Sequence, residues 1–289
     1  MKKTVFSALR ELLGGKRRPA EKAPAPVRRE LCERILACIR AKDTAFSYHI
    51  GTKEGPAGLT DSKFGGLPYW PEGADYPADA KGEKLFLLAQ INFAQMAPED
   101  GLLPSKGILQ FFIRDDDLCG ADFDAPTVQD GFRVIYHPEV GEPLSPERLH
   151  AMGVRANTEL APRETMLPSV CEDAVTFCRA EDHTAGYSEA FDEQLRAAEA
   201  ALSCQLTEAE RELVNDAAED GFGHKMLGIP SFTQCDPRRS AAHYDTLLFQ
   251  MDSLGNIMWG DSGVANFFIC SEALKNCDFS DILYNWDCY

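Results

Sequence analysis

The chain has 289 residues, 44% hydrophobic and 26% charged, near the averages for soluble globular proteins, which excludes collagen, a coiled coil and wholesale disorder. Its net charge of −17 is unevenly divided: residues 1–30 carry nine Lys/Arg against three Glu, whereas the remainder carries 20 basic and 43 acidic residues, or −23. An acidic body of this size disfavours nucleic acid, which would have to bind through the basic arm, and favours cationic ligands or a basic protein partner.

In "MKKTVFSALRELLGG", Val5, Phe6, Leu9, Leu12 and Leu13 follow helical spacing among basic residues, and "GKRRPAEKAPAP" reads as a linker. Residues 1–26 are therefore expected to form a basic arm, with weak membrane-surface contact by residues 1–18 as one use for it. Arg10 and Glu11 break the apolar core that a signal peptide needs, and no run of roughly 18 to 20 apolar residues follows anywhere. Ten cysteines in so long a chain without a secretion signal suggest reduced thiols and a cytosolic location.

Leu31, Ile35, Cys38 and Ile39 mark an amphipathic helix over about 27–42, and "AFSYHI" reads as a short strand. The glycines and prolines of "DSKFGGLPYWPEG" demand a tight loop, after which "LFLLAQINF", "GILQFFI" and "FRVIYH" read as strands. Residues 142–222 look helical instead, with Phe191, Leu195, Ala198 and Leu202 on one stripe and a capping box from Thr207 to Glu210.

The two β-rich parts resemble each other. Lys63-Phe-Gly-Gly66-Leu-Pro68 matches Lys225-Met-Leu-Gly228-Ile-Pro230, and "LLAQIN" from Leu87 matches "LLFQMD" from Leu247. More loosely, "GILQF" from Gly107 is echoed by "NIMWG" from Asn256, each followed by Asp and Gly. The expected fold is α+β, with antiparallel sheets from two related loop-strand-strand units, 27–141 and 223–289, and a helical insert over 142–222.

Several motifs invite chemistry. Gly260-Asp261-Ser262-Gly263 spells the trypsin-like nucleophile signature, but His243 lies only 19 residues before Ser262, where such enzymes place more than a hundred, so the protease reading is rejected. Asp115, Asp117 and Gly120 fit the first positions of an EF-hand, yet Cys119 and Pro126 occupy positions that need oxygen ligands. A looser calcium site using Asp115, Asp117, Asp122 and Asp124 stays open. Cysteine spacing fits no zinc site, "GFGHKMLGIP" lacks the Lys-Ser/Thr of a phosphate loop, and Glu147 with His150 is a lone Glu-x-x-His. Gln90 and Gln250 stand at matching places in apolar strands, where a buried amide either ties down the neighbouring loop or faces a ligand.

Together "SKFGGLPYWP", "LFLLAQINF", "GILQFFIRDDDLCGADFD", "KMLGIPSFTQ", "YDTLLFQMDS", "IMWGDSG" and "DFSDILYNWDCY" resemble the YwqG-like family of bacterial proteins, also called DUF1963, from about residue 45 onward. That resemblance implies a cytosolic α+β fold and carries over no catalytic residues. The functional expectation is a binding module whose acidic body engages a basic protein partner, with an immunity-type protein that neutralises a basic toxin fitting the charge. The alternative is a small-molecule binder or enzyme using a cleft between the repeats, built from Lys63, Trp70, Gln90, Lys225, Gln250, Trp259 and Asp261.

Overall fold

A computed structural model describes residues 26–42, 44–55, 57–218 and 221–289. The expected arm therefore lies, Pro26 apart, outside the described residues. Helix α1 (Arg29–Arg40) buries Cys32, Ile35 and Ile39 at helical spacing and packs on α4 (Glu189–Ala201) and α5 (Glu208–Asp216) through Phe191, Leu195, Ala198 and Val214. The Thr207–Glu210 capping box is present, and Arg28 closes it from outside by binding the buried Glu210 carboxylate at 2.7 Å. That guanidinium holds the Glu210 carboxyl well below the usual carboxylate range.

Ten strands form one sheet among the described residues: β1 (Ala45–Glu54), β2 (Lys63–Phe64), β3 (Phe86–Asn92), β4 (Ile108–Ile113), β5 (Phe132–His137), β6 (Asp173–Asp182), β7 (His224–Leu227), β8 (Thr246–Asp252), β9 (Val264–Ile269) and β10 (Leu283–Asp287). Their order is β10-β9-β8-β7-β1-β6-β2-β3-β4-β5, with every strand pair antiparallel. Two expectations are corrected here. One continuous sheet replaces separate sheets, and the segment 142–222 is not a purely helical insert, because β6 pairs with β1 over ten residues at the centre. Strand β6 escaped notice because it lacks a clean apolar alternation: within "DAVTFCRAED" the buried ends are Asp173 and Asp182.

The sheet curls until its edges meet. Tyr284 of β10 donates its N–H to Pro126 O at 2.9 Å and its hydroxyl to Cys119 O at 3.0 Å, and its ring lies 5.1 Å from that of Phe132 in β5. Loop 114–131 thus fills the seam of a nearly closed barrel. Inside, Phe111 lies 4.7 Å from Phe249 and 4.9 Å from Phe267, which in turn stacks on Tyr284 at 4.4 Å. Aromatic contacts at these separations add to the apolar area that they bury. Strands β4 and β9 are buried throughout, since their outer faces are covered too. Trp70 and Tyr76 cover Phe112 on one side, and Tyr244 and Phe232 cover Phe268 on the other.

The remaining helices are short: α2 (Phe93–Met96), α3 (Pro146–Ala151) and α6 (Ser271–Lys275). No helix among the described residues is long and apolar enough to cross a membrane, and all ten cysteines are free.

Candidate functional site

Two stations of buried polar residues flank the central β1–β6 pair. In the first, Lys63 on β2 sits opposite Gln90 on β3. The Lys63 ammonium is buried and reaches Glu172 Oε1 at 3.0 Å; burial lowers its pKa, with Glu172 opposing. Gln90 spends its whole amide on its neighbours: Oε1 accepts from Tyr69 N at 2.8 Å, and Nε2 donates to Leu59 O at 2.9 Å and Asp61 O at 2.7 Å. Gln110 on β4 extends the chain, donating to Tyr69 O and Gln90 Oε1, both at 2.8 Å.

The second station repeats these roles. Lys225 on β7 sits opposite Gln250 on β8, and its buried ammonium lies 2.7 Å from Asp182 Oδ2. Gln250 Oε1 accepts from Ser231 N at 2.8 Å, and Nε2 donates to Gly221 O at 3.0 Å and Gly223 O at 2.9 Å. Asn266 on β9 donates to Ser231 O at 2.9 Å, as Gln110 does to Tyr69 O. Even the irregularities agree, with register shifts between Leu87 and Ala89 and between Leu247 and Phe249. Gly228 is required for two reasons: its φ is +79°, and a Cβ would overlap Asp182 Oδ2 and Ser47 Cβ.

Of the seven expected site residues, Lys63 and Gln90 thus meet in one station and Lys225 and Gln250 in the other, while Trp70, Trp259 and Asp261 stand apart. In the sheet, β1 and β6 stand between the stations. Trp70 packs with Tyr76 and Phe112, whereas Trp259 belongs to the barrel core and lies 5.9 Å from Trp286. Asp261 is exposed, and its carbonyl accepts from Tyr289 N at 3.2 Å. Between the halves, Phe64, Leu87, Ile113, Met251 and Ile257, with Asn157 and Ser169 as polar members, line a mostly apolar cavity of about 20 Å³, which has room for one water and is lined by none of the seven residues.

Ser262 takes a left-handed φ of +55° in the turn before β9, and among the described residues no hydrogen bond links it to His243, whose ring rests against Tyr244. The expected echo of "GILQF" in "NIMWG" is also corrected, because Asn256–Gly260 lies outside the strands. By pairing, the counterpart of β4 is "VANFFI", with Asn266 opposite Gln250 as Gln110 is opposite Gln90. Asp115 Oδ1 accepts from Thr165 Oγ1 at 2.9 Å and Met166 N at 2.7 Å, and Asp122 Oδ1 accepts from Asp124 N and Ala125 N. No three His, Cys, Asp or Glu side chains converge as a metal site among the described residues.

Glu172 and Asp182 were missed in the sequence because their lysine partners lie 109 and 43 residues away. Gln110 and Asn266 carried a usable signal, a lone amide inside an apolar strand, as at Gln90.

Two histidines belong to the same network. His137 Nε2 lies 2.9 Å from Gln110 Oε1, so that nitrogen carries the proton; His224 Nδ1 accepts from Asp252 N at 3.1 Å. Burial pushes both down from 6.5 to about 4, which leaves them neutral at pH 7. Between those values the unfolded chain binds more protons, so the stabilisation is complete above 6.5 and is lost as pH falls towards 4. Urea unfolding from pH 7 to pH 4 should show a loss of up to about 3 kcal/mol per histidine, and H137Q/H224Q should flatten the curve over that range; equal slopes in both proteins would contradict the assignment.

The family profile described as "Domain of unknown function (DUF1963)" matches residues 62–288. The chain belongs to the DUF1963 family. No curated protein matches it. Both stations lie within the DUF1963 match except for their contacts with β1 and Leu59–Asp61, and α1 and β1 precede it.

Proposed function

We propose that this DUF1963 protein is a non-enzymatic binding module whose acidic body engages a basic protein partner. The observation that carries this reading is the −23 charge of the chain after Glu30. So large an imbalance gains nothing for the fold, because like charges repel in the compact state, but it steers and retains a cationic partner. The burial of both stations supports the reading, since their lysines and amides are engaged inside the protein. We further propose that residues 63–137 and 224–287 are two copies of one unit, joined through β1 and β6, on the strength of their matched lysine, glutamine and bulge positions. The ten free thiols support a cytosolic location.

Immobilised full-length protein should retain a Lys/Arg-rich protein from host lysate at about 0.1 M salt and release it near 1 M, where the screening length shrinks to roughly 3 Å. Recovery of no partner in either condition, or only of acidic ones, would overturn the reading.

A further inference from the structure

Five of the large apolar side chains left in solvent gather at one end of the barrel: Leu118 (39% exposed), Phe123 (52%), Met166 (63%), Met258 (54%) and Tyr289 (82%). Named contacts tie their four segments together. Trp286 donates its indole N–H to Leu118 O at 2.7 Å, and its ring lies 6.4 Å from Phe123. Cys119 Sγ lies 3.3 Å from Met166 O, and Met258 N donates to Pro168 O at 2.8 Å. Tyr289 N reaches Asp261 O, beside Met258 in the chain.

This apolar surface is set in negative charge. Segments 114–126, 163–168, 257–263 and 286–289 hold eight carboxylate side chains and two guanidinium groups. One of these, Arg114, is engaged by Asp116 at 2.6 Å and Asp130 at 3.4 Å. Asp117, Asp122, Asp124 and Asp261 are exposed. Phosphate-bearing partners and a second copy of the same face would both meet like charge here.

We infer that this end is the docking face for a peptide segment of a basic partner, one that inserts two or three aliphatic or aromatic side chains among Phe123, Met166 and Met258 while flanking Lys or Arg residues meet the aspartates. Aromatic and methionine side chains are favoured at interface centres, and methionine adapts its shape to varied guests. Charge at the rim sets partner choice and approach rate. The inference rests on the proposed function and assigns it a surface.

A random 15-residue peptide library displayed on phage and selected against the immobilised full-length protein tests it, with the best peptide then measured by fluorescence anisotropy. Selected peptides should combine Lys/Arg with aromatic or aliphatic anchors. Their affinity should fall at least about tenfold, equal to roughly 1.4 kcal/mol, in F123S/M166Q/M258Q. The charge reversal D117K/D124K, which leaves every apolar side chain in place, should cause a similar loss. The control E193Q/E212Q, on α4 and α5, should change affinity less than about twofold, the background expected of residues outside a hot spot. Basic peptides that bind these end-face variants as tightly as the parent protein would overturn the docking face and leave the proposed function intact. Selection of peptides without basic residues, or of none, would overturn both.

Discussion

Asp182→Ala is expected to lower the free energy of unfolding by about 3–5 kcal/mol, the usual cost of removing one partner from a buried ion pair. Asp182 Oδ2 lies 2.7 Å from the Lys225 ammonium and also accepts Ile229 N at 2.8 Å, so the change removes a counter-charge and a loop anchor together. Lys225 then faces a desolvated interior without this carboxylate. The double variant D182A/K225M should be more stable than D182A alone, because the buried ammonium left without that carboxylate is gone as well. Urea unfolding of the full chain reads both numbers, and a D182A cost below about 1 kcal/mol would mean that the pair does not hold the second station together.

Gln250→Leu should cost about 4 kcal/mol or more, and Gln90→Leu about as much. Each substitution roughly keeps the volume of the side chain while stripping hydrogen bonds from buried and partly buried backbone groups, at roughly 1–3 kcal/mol for each buried group left unsatisfied. For Gln250 those groups are Ser231 N, Gly221 O and Gly223 O; for Gln90 they are Tyr69 N, Leu59 O and Asp61 O. Hydrogen exchange sharpens the expectation. The Ser231 amide should lose protection in Q250L, while the Tyr69 amide, anchored by the other glutamine, stays protected. Loss of protection at both amides in one variant would mean that the stations do not act separately.

Much of this was legible in the sequence, for reasons that can be traced residue by residue. Helix α1 announced itself through Ile35 and Ile39, and the Thr207–Glu210 box through side chains three residues apart, because helical partners are local. The two glutamines were visible as amides in apolar strands, but burial left loop tie and ligand contact both open, and the hydrogen bonds to the neighbouring loops decide for the tie. Strand β6 was hidden because every residue between its buried ends Asp173 and Asp182 is partly or fully exposed, so its polar text resembled the helices around it. The carboxylates that face Lys63 and Lys225 were hidden for a different reason. An ion pair across 109 residues leaves no spacing to read, and only the sheet order brings Glu172 to Lys63. The end face was hidden likewise, being assembled from four segments spread over residues 114–289 that share no pattern.

The order of the sheet also fixes an order of events in synthesis. Strand β1 leaves the ribosome before every other strand of the described sheet, yet its partners are β6 and β7, with separations running from Glu54 to Asp173 up to Ser47 to Leu227. Strands β2, β3 and β4 each find a neighbour in the next strand made, and so do β7, β8 and β9. The nascent chain therefore builds its first half by local hairpins while β1 waits without its strand partners until residue 182 has been added. Long-range closure of this kind is slow and leaves a strand open to wrong pairing in the interval. The stretch Ala45–Glu54, at the middle of the finished sheet, is the part most in need of protection while the protein is being made.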